Sequence, residues 1–500
     1  MPPLDGERWP QRRRLIAIVD IGSNSVRLVI YDALLRTPLP IFNEKAVCAL
    51  GQGLESSGRL NEAGMVLATT AIGRFVRLAR AMQVEAVHIL ATAAVREAAD
   101  GPAFVATIEA ANDVTVQVLS GGEEAKLAAL GVLCAVPDAN GVVADLGGGS
   151  LELAAVSQGV LGKHATLPLG VLRLSEKSGG SRGAAADIVD RALADLKWLG
   201  KGRGRALYAV GGAWRAIARL CIAQTAHPIL VLDNFTLDRA EAERLLDLVS
   251  RQSPKSIEKA PGVPKKRIPT LPMAALVLEK VLQAARPARL VFSVYGMREG
   301  KFFRQLPQHL RGEDPLISSC QALAVAAGRF NDHADEIMSW MAPLFPDETP
   351  AVRRVRHAAS LLGDVFWSEH PDYRAEQAFL RTLRLPFVGI GHQERAVLAV
   401  AIYTRYRADG DLPASHGVHS LLNGEAYRMA RVMGLALRLC HVLTGGAAGL
   451  LPLTRLTAEK KALVLELPDS EPAFRTDLVG RSFERLAKEM GLAPVVRRIT

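Results

Sequence analysis

Twice along this chain an apolar run ends in an aspartate, turns through glycine and hydroxyl residues, and resumes as a second apolar run. The first copy is Leu15–Val19, then Asp20-Ile21-Gly22-Ser23-Asn24-Ser25, then Arg27–Tyr31. The second is Gly141–Leu146 with Asp145 near its end, then Gly147-Gly148-Gly149-Ser150, then Leu151–Val156 with Glu152 beside the turn. Each copy reads as a strand–turn–strand hairpin that opens a lobe, and together they read as an internal repeat. Such a turn offers backbone N–H groups to an anion, with a carboxylate alongside able to hold a cation directly or through water. One copy alone is equally an ordinary β-turn in which Asn and Ser tolerate unusual backbone angles. Three consecutive glycines in the second copy cost conformational entropy, which makes sense where a backbone approaches a ligand closely. Asp145 and Glu152 bracket that turn and can both face a divalent cation.

The surrounding pattern is α/β. Ala86–Ala91, Val114–Leu119, Ala206–Val210 and Leu290–Phe292 are further strand-like runs, separated by helical stretches, so mixed or parallel sheets with helices on their faces are expected. A third glycine element, Gly211-Gly212, follows strand Ala206–Val210 and opens a helix whose N-terminus would face the same cleft; alone it reads as a tight βα turn. Beyond about residue 312 the apolar spacing is helical: Leu316–Phe330, Arg353–Trp367, Ala375–Leu383, Glu394–Arg407 and Glu425–Leu443. Lys461–Leu467, Arg481–Met490 and Pro494–Ile499 then suggest a small α+β tail. Four segments result: lobes at 1–134 and 135–311, an all-α domain at 312–448 and a tail domain at 449–500. Residues 253–272, with five prolines and Lys265-Lys266-Arg267, read as an exposed connection.

Composition narrows the partners. The 500 residues are 49% hydrophobic and 22% charged, a balance that excludes disordered, collagen-like and disulfide-scaffold chains. The net charge is +10 and lies forward: residues 1–310 hold 38 Lys and Arg against 29 Asp and Glu, whereas the remainder holds 23 against 22. A basic front favours an anionic partner. Aromatic residues at 5% argue against single-stranded nucleic acid, which needs stacking platforms. The five cysteines (Cys48, Cys134, Cys221, Cys320, Cys440) form no CxxC pair and read as core hydrophobes. Arg12-Arg13-Arg14 before Leu15–Val19 mimics a signal peptide, but the apolar run is short and ends at Asp20. No run approaches the ~18–20 apolar residues of a membrane span. A cytoplasmic location is expected.

Three more stretches sharpen the picture. Ala91-Thr92-Ala93-Ala94-Val95-Arg96, Ser120-Gly121-Gly122-Glu123-Glu124-Ala125 and Ser293-Val294-Tyr295-Gly296-Met297-Arg298-Glu299-Gly300 follow in order. With the glycine turns, they resemble the exopolyphosphatase/guanosine pentaphosphate phosphatase (Ppx/GppA) family; the last stretch carries one extra residue before Gly296. The resemblance implies two ribonuclease-H-like lobes of the actin/sugar-kinase/heat-shock-chaperone type, followed by an all-α HD-like domain and a small α+β domain. It implies hydrolysis of a terminal phosphoanhydride, with exopolyphosphatase activity, processive on inorganic polyphosphate, as the first expectation. Within the family the alternative is a guanosine pentaphosphate 5′-phosphohydrolase; a polyphosphate:ADP phosphotransferase and a low-turnover sensor are the others.

By the same resemblance Glu124 is the general base. Asp145 and Glu152 hold Mg²⁺ (or Mn²⁺), with Asp20 as a water-mediated third ligand and a monovalent cation such as K⁺ assisting. Gly22, Ser23, Asn24, Ser25, Gly147, Gly148, Gly149 and Ser150 cradle phosphates. Arg96 clamps a phosphoryl group, and Gly211, Gly212 and Arg298 line the cleft; Arg298 and Glu299 read equally as a structural ion pair. Glu123 reads as a helix N-terminal charge. The expected partners are polyphosphate and guanosine penta- or tetraphosphate, with a homodimer, no nucleic acid and no membrane span. In the helical domain His357 precedes Gly363-Asp364 where an HD site needs His-Asp, and His370, His392, His416 and His419 lack ligand spacing, so no second metal centre is expected. Its arginines Arg353, Arg354, Arg356, Arg405 and Arg407 are expected to guide a polyanion, or else to belong to a mixed-charge surface.

Overall fold

The computed structural model describes residues 14–33, 35–252, 254–258, 262–328, 333–409 and 417–499. Arg12, Arg13, His416, positions 329–330 of the first helix expected in the all-α segment and part of the 253–272 connection lie outside them. The chain forms two compact units: Met1–His227 with Leu232–Glu313, and Pro228–Val231 with Asp314–Thr500.

The first unit repeats one sheet plan. Strands β1 (Leu15–Ile21), β2 (Ser25–Asp32), β3 (Pro40–Val47), β4 (Ala86–Ala91) and β5 (Val116–Val118) are ordered β3-β2-β1-β4-β5. The first three form an antiparallel meander, and β4 and β5 add in parallel. Strands β6 (Gly141–Leu146), β7 (Leu151–Ser157), β8 (Val160–Leu167), β9 (Ala206–Val210), β10 (Phe235–Asp238) and β11 (Arg289–Phe292) are ordered β10-β11-β9-β6-β7-β8. Here too a meander, β6-β7-β8, is extended in parallel by β9 and β11, with β10 antiparallel at the edge. The central strands read as unbroken apolar runs because helices cover both faces: Ala17, Ile18 and Val19 are fully buried, as are Leu207 and Leu290. This is the doubly lobed α/β architecture the motifs imply.

Two helices cross between the lobes. Gly121–Ala135 starts at Ser120, whose Oγ accepts the Glu123 N–H at 3.2 Å. It packs on Met297–Gln305, whose first turn is capped by Glu299 accepting the Gly296 N–H at 2.9 Å. The crossing is close because it is built on glycine: a Cβ on Gly300 would lie 1.9 Å from the Leu127 carbonyl oxygen. Phe302 from the second helix meets Tyr31 of β2 with ring centroids 5.0 Å apart.

Part of the 253–272 stretch departs from the expected exposed connection. Lys265–Thr270 is a 3-10 turn running into helix Leu271–Ala285, and Ile268, Leu271, Leu278 and Leu282 are buried against the second sheet. Lys265–Ala285 is long and apolar enough by length and composition to cross a membrane, contrary to the expectation that no run is; about half of it is buried inside the lobe, as a core helix would be.

The second unit contains helices Pro315–Ala327, Pro350–Leu362, Arg374–Arg384, His392–Tyr406, Gly424–Thr444 and Asp477–Met490. Strands β12 (Arg455–Ala458), β13 (Ala462–Pro468) and β14 (Ala493–Ile499) form a three-stranded sheet. Phe379, Leu398 and Met433 from the helices share one core with Leu465 and Phe483 from the tail. Three of the arginines expected to guide a polyanion are occupied internally. Arg354 Nε lies 2.5 Å from Asp314 Oδ2 and Arg405 Nη2 lies 3.4 Å from Asp364 Oδ1. Arg356, 1% exposed, forks onto both oxygens of Glu348 and donates to the Met338 carbonyl. A buried guanidinium must be paired in this way, and a paired one is withdrawn from ligand.

Candidate active site

Register shows how closely the two hairpins correspond. In each, the glycine two residues after the aspartate donates its N–H to the carbonyl of the serine three further on: Gly22 to Ser25 at 3.1 Å, Gly147 to Ser150 at 3.0 Å. Asp20 pairs across β1–β2 with Arg27, and Asp145 pairs across β6–β7 with Glu152. Directly opposed residues on antiparallel strands share a face. The second turn therefore presents two carboxylates together, whereas the first presents a carboxylate beside a cation. Both turns open into one cleft.

Asp20, Gly22–Ser25, Glu124, Asp145, Gly147–Ser150, Glu152, Gly211, Gly212 and Arg298 all line this cleft. Arg96 does not. Its Nη1 sits behind Glu124, 2.9 Å from Glu124 Oε2 and 2.8 Å from the Leu119 carbonyl. The arginine expected to clamp a phosphoryl group is thus held on Glu124. Arg298 Nη1 lies 3.8 Å from Asp20 Oδ2, and its Nε is 4.0 Å from Glu299 Oε1, so both expectations for Arg298 have a structural counterpart. Glu123 is turned out to Arg304.

Four basic residues of the lining, Arg27, Lys45, Arg215 and Arg267, were not singled out from sequence. Lys45 is the register partner of Arg27 on β3. Arg215 stands one turn into the helix opened by Gly212 and donates to the Val294 carbonyl at 3.2 Å. Arg267 lies over that helix start: a Cβ on Gly212 would come within 2.6 Å of its Nη2. Aligning the hairpins at their aspartates would have put Arg27 in the place of Glu152. The other three carry no local signal.

Burial is the main influence on the ionisation of the side chains in the cleft. Burial pushes Glu124 up to about 7, against the hydrogen bond from Arg96. Burial likewise lifts Asp145 to about 6 despite Arg215, and raises Asp20 despite Arg298. Glu152, 3% exposed, is held well above the usual range by burial and by Glu124 and Asp145, and its Oε1 has no hydrogen-bond partner. On the basic side burial lowers Lys45 to about 8, with Arg267, Arg27, Arg215 and Arg298 adding to the effect. Arg215 falls to about 10 through burial and Arg298. Carboxylates crowded together favour a cation among them, and crowded cations favour an anion. An orphaned buried carboxylate oxygen at Glu152, beside Asp145, fits a hard divalent cation. Among the described residues no three acidic, histidine or cysteine side chains already converge as a metal cage.

A carboxylate poised near neutral pH is suited to take a proton, and Arg96 counters the burial that raises Glu124. Activity is expected to rise with pH through about 7 as Glu124 ionises. Arg96 stabilises the ionised form, so Arg96→Gln should move that acid limb to higher pH. A pH–rate profile of the two proteins checks this; an unmoved or lowered limb would contradict it.

The paired glycine turns, the two crossing helices and the single poised glutamate define a phosphoanhydride-handling enzyme of the actin/sugar-kinase architecture. Residues 29–309 match the model of the Ppx/GppA phosphatase family and residues 316–493 that of "Exopolyphosphatase, C-terminal". The chain belongs to the Ppx/GppA phosphatase family. It is 28% identical over 313 residues to Exopolyphosphatase 1 of Mycobacterium leprae, covering 59% of this chain and 91% of that one. It is 23% identical over 480 residues to the guanosine-5′-triphosphate,3′-diphosphate pyrophosphatase of Aeromonas salmonicida, covering 91% and 92%. The fold is shared with an exopolyphosphatase structure from Cytophaga hutchinsonii (TM-score 0.54, 23% identity, 60% of this chain and 99% of that one). It is also shared with the Aquifex aeolicus family member (TM-score 0.50, 22% identity, 58% and 96%).

Proposed function

We propose that this chain is an exopolyphosphatase, releasing orthophosphate from the end of inorganic polyphosphate by attack of water. The observation that carries this reading is the cluster of Arg27, Lys45, Arg215, Arg267 and Arg298 in the same cleft as the poised Glu124. A nucleotide offers a base and sugar for recognition, whereas polyphosphate offers only charge and oxygen acceptors. The described lining supplies cations and backbone N–H groups, with no aromatic face among them.

In this reading Glu124 accepts a proton from the attacking water as the new P–O bond forms to the terminal phosphorus. The bridging P–O bond breaks, and the electron pair leaves on the shortened chain, whose charge the arginines and Lys45 offset. A phosphate leaving group needs little protonation, so a base without an acid partner suffices. The turns at Gly22–Ser25 and Gly147–Ser150 orient the terminal phosphoryl group. Asp145 and Glu152, with Asp20, would hold Mg²⁺ or Mn²⁺, which supplies neutralisation of phosphoryl oxygens.

The second reading, guanosine pentaphosphate 5′-phosphohydrolase, is favoured by one finding: relatives that match nearly the whole chain are named guanosine-5′-triphosphate,3′-diphosphate pyrophosphatase. Steady-state turnover on long-chain polyphosphate and on guanosine pentaphosphate separates the two. A higher kcat/KM on polyphosphate is expected; a clear preference for the nucleotide would replace the first reading with the second.

A further inference from the structure

The contacts of Arg96 continue past Glu124. Its Nη2 lies 3.4 Å from Glu97 Oε1, and the other Glu97 oxygen is taken by Nη2 of Arg173. Arg173 Nε then reaches Glu55 Oε2 at 3.0 Å, and Glu55 Oε1 takes Lys177 Nζ at 2.9 Å. This relay crosses between the lobes. Glu55, Arg96 and Glu97 follow β3 and β4, while Arg173 and Lys177 lie on helix Val171–Lys177, which follows β8. That helix is also tied to the second phosphate turn, because the N–H groups of Val171 and Leu172 donate to the carbonyls of Gly147 and Gly148 at 3.2 and 2.9 Å.

The relay contains a competition. Glu124 and Glu97 draw on the Arg96 guanidinium through different nitrogens, Glu124 at Nη1 at 2.9 Å and Glu97 at Nη2 at 3.4 Å. The Glu97 contact is the longer of the two while Arg173 occupies the other Glu97 oxygen. The Arg173 side chain is only 10% exposed and forks between two carboxylates, so its charge is poorly screened and its geometry fixed. With Arg173 gone, the Glu97 charge would be left to draw Arg96 away from the base.

We infer that Arg173 is a positioning residue for the reaction: by engaging Glu97 it directs Arg96 onto Glu124. The orientation of the base thereby depends on the second lobe's phosphate turn being seated against the first lobe. The inference rests on Glu124 being the base.

The test uses the full-length protein and long-chain polyphosphate, with Arg173→Met, Arg173→Lys, Glu97→Gln, the Glu97→Gln/Arg173→Met double variant, and Glu124→Gln alongside. Arg173→Met is expected to lower kcat by about 10- to 100-fold with KM changed by less than about twofold, because misorientation of a catalytic group acts on the chemical step. Arg173→Lys, which keeps the charge, should restore most of the loss. The decisive variant is the double one. Removing the competing carboxylate should recover kcat even though the tie between the lobes is then wholly lost. A clamp that merely stabilised the fold would instead leave the double variant as poor as Arg173→Met. No recovery in the double variant, a kcat unchanged by Arg173→Met, or a raised KM at constant kcat would each overturn the inference. If Glu124→Gln is inactive while Arg173→Met is normal, only the positioning role fails; if Glu124→Gln is active, the assignment of the base fails.

Discussion

Replacing Glu124 by glutamine is expected to lower polyphosphate hydrolysis by about 10²–10⁴-fold, the usual contribution of a general base, while polyphosphate binding persists. The substitution is close to isosteric, and the side-chain oxygen can still accept from Arg96 Nη1, so the local packing behind the base survives. What disappears is the ability to take a proton. Binding should not weaken, because the cations that face the substrate are untouched and one negative charge leaves the cleft. Glu152, raised by burial and then by Glu124 and Asp145, is relieved by the change. Measuring kcat and, separately, polyphosphate affinity at equilibrium distinguishes the contributions. Full activity in Glu124→Gln would remove the assigned base. Loss of binding together with activity would mean that Glu124 holds the substrate's cationic surroundings in place and does not act on water.

The site was legible in sequence wherever its chemistry is local. Each phosphate turn is contained in six consecutive residues, and its hydrogen bond spans three of them, so Asp20–Ser25 and Asp145–Ser150 could be found from spacing alone. Glu124 is fixed by the helix cap at Ser120, also local. The cationic wall was hidden because it is assembled by pairing distant strands and by tertiary packing. Lys45 comes to Arg27 only through the β2–β3 register, and β3 itself is an edge strand of mixed polarity, exposed or half-buried along its whole length. Arg267 sits in a Lys- and Pro-rich stretch whose composition describes an exposed connection, yet Ile268 and Leu271 anchor it against the lobe and turn the arginine inward. In the second unit helix Pro350–Leu362 begins at a Thr349 cap and ends at Leu362, five residues before the apolar pattern alone would end it. The near-neutral composition of that unit fits a mixed-charge surface but does not say which arginines are paired; Asp314 and Asp364, the partners of Arg354 and Arg405, lie 40 and 41 positions away.

Introducing a single methyl group at Gly300 is expected to damage the enzyme as severely as a change at the site itself. The Cβ of Gly300→Ala would lie 1.9 Å from the Leu127 carbonyl oxygen, and that of Gly131→Ala 2.1 Å from the Gly296 carbonyl oxygen. Both obstacles are backbone, so no rotamer change relieves them and the two helices must separate. Overpacking of this kind costs about 1–3 kcal/mol and occasionally more, out of a total of about 5–15 kcal/mol for a typical domain. The functional cost should exceed the thermodynamic one. Glu124 lies on one of the crossing helices and Arg298 on the other, so prying them apart displaces the proposed base and a cation of the cleft together. Gly480 supplies the contrast: it lies inside helix Asp477–Met490 with nothing within 4 Å of its Cβ position. There Gly480→Ala should stabilise by about 0.5–1 kcal/mol through reduced backbone entropy of the unfolded chain. Denaturant unfolding of the three variants, with polyphosphate turnover measured below each transition, gives both quantities. Gly300→Ala and Gly131→Ala should unfold earlier and turn over more slowly even while folded, whereas Gly480→Ala should unfold later at unchanged rate. Parent-like stability and turnover in Gly300→Ala would show that the close helix crossing is not what sets the distance between the base and its cationic surroundings.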